Sequence, residues 1–326
     1  MQLVLTAFVG TQVVRGQEAV VSAQAEFPEG RIYTGLFGPL PNGGMGREMV
    51  AIDVKTGTCQ TIGPDGTGLR VSPDGKSIAY STFSKNPPVV NNVIQQACDV
   101  WIKRLDVEEE PNMIWSGAGS AKVSWLRDGE HVIVTQGELD NQRSWKHTQW
   151  KIDVATSEAE PLKLPTTESV INAAHHSDRV IVWSLRDKGI RLLTMLPDGT
   201  EEIVLTKKGQ RDYYGHYSAD DNKIVFARRE GGTKLKICTA NVDGSDVQVA
   251  YNEQGVTTPQ HVCWSLDGKR LAVVLFDWSL DEHGRRVRRR DDDSKFRIAV
   301  MDLDGKNFRE LTLDRDVREI GELDWR

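Results

Sequence analysis

RVSPDGKSIAYST, residues 70–82, runs from a short strand through a Ser-Pro-Asp-Gly turn into a second, apolar strand. Pro and Asp are turn-forming residues, and Gly closes such a turn without steric cost. The same order returns as VSWLRDGEHVIVT from Val123, HHSDRVIVWS from His175, HYSADDNKIVFA from His216 and CWSLDGKRLAVVL from Cys263. Each copy is followed by two further strand candidates around a second turn, as in FRIAVMDLDGKNFRELT from Phe296. Four strands per unit, repeating about every 43 to 54 residues, predict a β-propeller, in which no unit buries its faces alone. The strands after the turn agree: Val180–Trp183, Ile224–Phe226 and Leu271–Phe276 are unbroken apolar runs, as covered strands require.

We letter the four strands of a blade a to d, with the repeated turn between a and b. The segment Ile320–Arg326 aligns with strand a of the last copy, Trp325 falling on Trp264, and it lacks the turn and strand b. FPEGRIYTG from Phe27 supplies both. The expectation is therefore an all-β chain: a six-bladed β-propeller of four-stranded blades over residues 26–326, with blade 1 shared between the N- and C-termini. Residues 1–25 read as either a signal segment, on the apolar LVLTAFV from Leu3, or an N-terminal extension. A signal implies a periplasmic or secreted protein; an extension leaves a cytoplasmic one open.

The repeat resembles the WD40-like unit of TolB-type six-bladed propellers, which reads as W-S-P-D-G, an apolar strand, a D-x-D-G-like turn and L-T. The nearest matches are Val71–Gly75, Trp264–Gly268, and Asp302, Asp304, Gly305, Leu311 and Thr312. The resemblance implies a six-bladed propeller, and a lone one is expected because the chain departs from family members that add an α/β domain to it. No G-x-S-x-G elbow of a propeller-linked peptidase is present.

In a propeller the a–b and c–d turns share one face, here the turn face. The b–c and d–a connections share the other, the loop face. The long b–c excursions belong to blades 1, 2, 3 and 6 and predict a wall on the loop face that is open beside blades 4 and 5. Side chains alternate along a strand. One parity of the inner strands (Leu69, Val71, Val123, Trp125, Tyr217, Val262, Trp264, Leu323, Trp325) is expected between blades. The other parity is expected to line the central channel as a ligand-binding surface: Arg70, Lys122, Ser124, Tyr214, His216, His261, Cys263, Glu322 and Asp324, with Ile171 and Ala173.

Arg70 and Lys122 come from adjacent blades 2 and 3, whereas His216, His261, Glu322 and Asp324 come from blades 5, 6 and 1. The second group is a candidate divalent-metal site or acid/base cluster, with His216 and His261 as the catalytic candidates. The alternative is a hydrated channel of compensating charges, and no cofactor is required. Trp145 and Trp278 fall in loop-face excursions, as partner contacts or as plugs of their own loops. His175-His176 reads as an exposed turn. Arg285-Arg286-Val287-Arg288-Arg289-Arg290, followed by Asp291-Asp292-Asp293, reads as a phosphate grip or a self-neutralised hairpin tip.

Composition narrows the function. At 326 residues with a net charge of −6, no basic surface dominates, which argues against nucleic acid as partner. No apolar run reaches the roughly 18 residues of a membrane span. Cys59, Cys98, Cys238 and Cys263 form no C-x-x-C pair, so they read as buried thiols. The leading expectation is a non-enzymatic scaffold that binds a protein, peptide or glycan through its loop face. The alternative is an acidic-glycan lyase or hydrolase resembling oligogalacturonate lyases, with Arg70 and Lys122 on the substrate carboxylate and a metal near His216 or His261.

Overall fold

In a computed structural model, residues 29–40, 43–87, 89–90, 93–94, 96–139, 145–185, 189–207, 209–230, 234–287 and 296–326 are described. The segment read as a signal or extension lies outside them. Among the described residues there is no helix, so none is long and apolar enough to cross a membrane.

Six antiparallel four-stranded sheets follow one another around the ring. Blade 2 is Thr67–Val71, Ser77–Phe83, Ala97–Arg104 and Asn112–Ala118; blade 3 is Ser120–Trp125, His131–Leu139, Trp145–Asp153 and Ala159–Pro161. Blade 4 is Glu168–Ala173, Val180–Ser184, Arg191–Met195 and Ile203–Val204; blade 5 is Arg211–Tyr217, Lys223–Arg229, Leu235–Asn241 and Gln248–Asn252. Blade 6 is Thr257–Trp264, Arg270–Asp277, Phe296–Asp302 and Arg309–Glu310. Blade 1 takes strands b to d from Arg31–Pro39, Met45–Asp53 and Cys59–Pro64. Its inner strand comes from Glu319–Ile320 and Asp324–Trp325, which pair with Arg31–Pro39. The ring is thus closed by the C-terminal segment, and no inner edge is left between first and last blades.

The repeated turn is built identically in three blades. Ser72 donates to Asp74 Oδ1 at 2.6 Å, Ser218 to Asp220 and Ser265 to Asp267 at the same distance. The same serine oxygens accept the backbone N–H of Ser77, Lys223 and Arg270 as strand b begins. Ser and Asp at this spacing therefore satisfy backbone donors that no strand reaches.

Six separate apolar clusters fill the molecule, one for each junction between neighbouring blades. All nine inner-strand residues assigned to the inter-blade parity are buried in them. The closing junction joins Ile32, Val50 and Ile52 of blade 1 to Val274, Phe276 and Ile298 of blade 6, with Ile320, Leu323 and Trp325 from the C-terminal strand.

The b–c excursions of blades 1 and 3 are mostly ladder, since strands b and c there pair over nine positions, against five in blade 4. Blades 2 and 6 instead carry small hairpins, Val89–Val90 with Val93–Ile94 and Ser279–Leu280 with Arg286–Val287. Inner strands are not regular. Their register slips between Thr67 and Arg70, Val170 and Asn172, Tyr213 and His216, and Pro259 and Val262. Such bulges re-aim side chains toward the channel mouth.

Candidate functional site

The inner strands bring Arg70, Glu322 and Lys122 together on the channel axis. Arg70 is almost wholly buried, and its Nη2 is ion-paired to Glu322 Oε2 while Nη1 donates to Leu69 O at 2.9 Å. Lys122 Nζ lies 3.9 Å from the other oxygen, Oε1. The two groups that the sequence assigns to different blades therefore meet at Glu322, which sits beside blade 2 and takes both cations. The physical reason is ring closure, which makes blades 1, 2 and 3 consecutive neighbours.

Asp324 has a different task. Its Oδ2 accepts the backbone N–H of Val71 at 2.8 Å, and Arg326 Nε lies 3.3 Å from Oδ1. Asn172 does the same between blades 4 and 5, accepting the N–H of Tyr217 at 3.0 Å. In the opposite sense, the indoles of Trp125 and Trp264 donate to the carbonyls of Arg70 and His216 at 2.9 and 3.1 Å. These side chains lace neighbouring inner strands together at four of the six junctions, so Asp324 is a structural carboxylate.

Two cavities share the axis. The smaller, about 50 Å³, opens on the turn face beside Ser124, Ala173, His175, Cys263 and Asp324. The larger, about 280 Å³, opens on the loop face and includes Lys122, Ile171, Tyr214 and Glu322 in its lining. Arg70 and His216 line both, so the Arg70–Glu322 pair and the His216 imidazole form the partition between them.

The wall of the larger cavity is aromatic. Trp145 stacks on His147 with centroids 6.3 Å apart and planes 6° apart, and His147 meets Trp183 edge-on at 5.9 Å. On the other side Tyr213 and Tyr214 lie 6.1 Å apart, and Tyr214 packs edge-on against His261 at 4.5 Å. His147, Trp183 and Tyr213 are absent from the sequence-based set. The nine-pair hairpin of blade 3 carries Trp145 and His147 over the mouth, on strand c rather than strand a. Tyr213 enters because the bulge at Tyr214, whose φ is +55°, breaks the alternation and leaves consecutive residues facing the cavity.

Electrostatically the floor is fixed. Burial alone would raise the Glu322 carboxyl, but Arg70 and Lys122 outweigh it and hold it far below the usual carboxylate range. Burial, reinforced by Arg70, lowers His216 to about 3; burial likewise lowers His261 to about 4. His147 is also lowered, by burial and then by Lys122. All three imidazoles are neutral at physiological pH. The cavity thus carries two cations and one carboxylate beneath uncharged rings.

Among the described residues no group of three or more His, Cys, Asp or Glu side chains is placed to hold an ion. Glu322 is held by Arg70 and Lys122, and Asp324 by Val71 and Arg326. Both carboxylates are thus engaged by the chain's own donors. A histidine with a pKa near 3 or 4 is also a weak base at neutral pH, far from the matched value that acid/base work needs.

Of the remaining candidates, Trp145 is 44% exposed at the cavity rim. Trp278 plugs its own loop instead, its indole donating to Thr258 at 2.9 Å and its ring packed on Phe276. The turn at His175-His176 is stapled to blade 5, since Asp221 accepts the N–H groups of His175, His176 and Ser177 at 2.7, 2.7 and 3.0 Å. In the arginine run, Arg285 pairs with Asp281, and Arg286 pairs with Glu253 while donating to Gly255 O at 2.6 Å. Arg288 to Asp293 lie outside the described residues.

No protein-family model matches the chain, nor does any curated protein. Solved structures do. TolB from Acinetobacter baumannii superposes with a TM-score of 0.68 at 17% identity, covering 92% of this chain and 68% of that one. A structure of the nidogen/laminin complex gives 0.61 at 13% identity over 90% of this chain and 97% of the other. Oligogalacturonate lyase from Vibrio parahaemolyticus gives 0.50 at 13% identity over 82% and 72%. These likenesses establish the fold, a TolB-like six-bladed propeller.

Proposed function

We propose that this chain is a binding module that receives part of a protein or peptide partner in the cavity at its loop face. The observation that carries the reading is the cavity itself: about 280 Å³, walled by Trp145, His147, Trp183 and two tyrosines, with a charged floor. Large apolar walls with a few fixed polar groups are the usual anatomy of a recognition pocket. Tryptophan, tyrosine and arginine are also the residues that dominate interface energetics. A superposable propeller occurs in the nidogen/laminin complex, an assembly of two proteins. Glycan remains the second ligand class for the same aromatic wall. The lyase reading is weaker, because His216 and His261 are held far from the basicity that proton abstraction needs. Export to the periplasm or the medium, with residues 1–25 as its signal, belongs to the same proposal.

The test is a quantitative enrichment from lysate of the source cells with three baits. They are the native protein, a Trp145→Ala/Trp183→Ala variant, and Leu266→Asp, which alters a residue 60% exposed on the turn face. Truncating two hot-spot aromatics, each worth about 2 kcal/mol, lowers recovery of a mouth-bound partner more than tenfold. Leu266→Asp leaves it unchanged. Full recovery with the double variant, or loss confined to Leu266→Asp, refutes the proposal.

A further inference from the structure

The loop-face cavity is a dead end. The Arg70–Glu322 pair and His216 close it below, so a ligand entering from the loop face stops there and cannot thread the ring. Its volume of about 280 Å³ lies just under the roughly 300–1,000 Å³ of sites for drug-sized molecules, which suits one residue of a chain rather than several.

Charge at the stop is unbalanced. Among the described lining residues Glu322 is the one carboxylate, and it is divided between two cations. Arg70 holds one oxygen directly, whereas Lys122 stands 3.9 Å from the other, beyond hydrogen-bond range, with half of its side chain exposed. Lys122 therefore keeps its donors open to the cavity. A further cation stands behind the wall: the Arg229 guanidinium lies 5.3 Å over the Tyr213 ring, with no ion pair among the described residues. An entering group that carries one negative charge completes this arrangement, while a neutral or cationic one does not.

Resting on the binding role proposed above, we infer that the cavity takes the free C-terminal residue of a peptide, its carboxylate received by Lys122 and its large apolar or aromatic side chain seated between Trp145, Trp183 and Tyr214. A chain end fits the dead end and a single carboxylate fits the surplus charge. An aromatic or leucine-sized side chain fits the walls, where each ring contact contributes about 0.5–1.5 kcal/mol beyond area burial.

An array of acetylated tetrapeptides, randomised at the last two positions, tests this. Each member is presented once with a free C-terminal carboxylate and once as the C-terminal amide. The native protein is expected to bind free acids that end in Phe, Trp, Tyr or Leu, with the amides at least tenfold weaker. Lys122→Met is expected to abolish the acid-over-amide preference and Lys122→Arg to keep it, both with native circular dichroism. Equal binding of acids and amides overturns the inference while leaving a binding cavity in place. Absence of binding to every member also overturns it, and the enrichment experiment above then judges the broader reading on its own.

Discussion

Glu322 answers two cations with one carboxylate, and the side chain of Arg70 is only 7% exposed. Glu322→Gln leaves that guanidinium buried without its counter-charge, so urea unfolding is expected to show a loss of about 3 kcal/mol. Lys122→Met removes only a distant, half-exposed partner and is expected to cost less than about 1 kcal/mol in the same assay. The histidines give a pH signature. His216 and His261 titrate near 3 and 4 when folded but near 6.5 when unfolded, so the unfolded chain binds more protons between those values. Their contribution is complete above about pH 6.5 and is lost as pH falls toward 4. Glu322, also lowered, adds to the loss only below about pH 4.5. A His216→Gln/His261→Gln variant is expected to flatten the stability profile between pH 6.5 and 4; an unchanged slope contradicts the burial of these rings as neutral groups. The sequence placed Arg70, Lys122, His216 and Glu322 on the channel because alternation holds near the repeated turn. It did not show that Arg70 and Glu322 touch, which depends on the ring closing between blades 1 and 2.

At the scale of the element, the turns separate two kinds of glycine. Gly268 has φ +66° with nothing within 4 Å of an added Cβ, so Gly268→Ala meets only the left-handed conformation, about 1 kcal/mol. Gly305 has φ +77°, and a Cβ there would lie 2.2 Å from the Ala250 carbonyl of blade 5. Gly305→Ala must also push two blades apart, and a thermal melt is expected to show at least twice the loss. Equal effects would mean that the c–d turns do not set blade spacing. The turns themselves were readable, because Ser, Pro, Asp and Gly act through local hydrogen bonds and dihedral preference. The bulges were not, since a register slip is decided by pairing with strand b. Their traces in the sequence are Gly68, Gly215 and Pro259, each inside an inner strand where such residues mark irregularity. Reading Tyr213-Tyr214-Gly215 that way would have brought Tyr213 to the cavity. Nothing comparable marks His147 or Trp183, which reach the mouth from strands c and b.

The whole molecule is held by six junctions of similar construction, and one of them depends on the last eight residues. Ending the chain at Arg318 removes Ile320, Leu323 and Trp325 from the closing cluster, together with the Glu322 and Asp324 contacts to blade 2. Cooperative unfolding is expected to be lost; a sharp transition at an unchanged midpoint would show that the ring does not need its shared blade. Fold class was legible at this scale because a repeat states its own period, whereas the cavity arises from departures between copies. All four cysteines are buried and free, and burial pushes the Cys59 and Cys238 thiols up to about 12 and 11. The central claim is that partners engage the loop-face mouth of the channel. Hydrogen–deuterium exchange on the native protein with an enriched partner locates that contact directly: the account expects protection over Trp145–Asp153 and Arg211–Tyr217, and protection confined to the turn-face segments at 72–75 and 265–268 would contradict it.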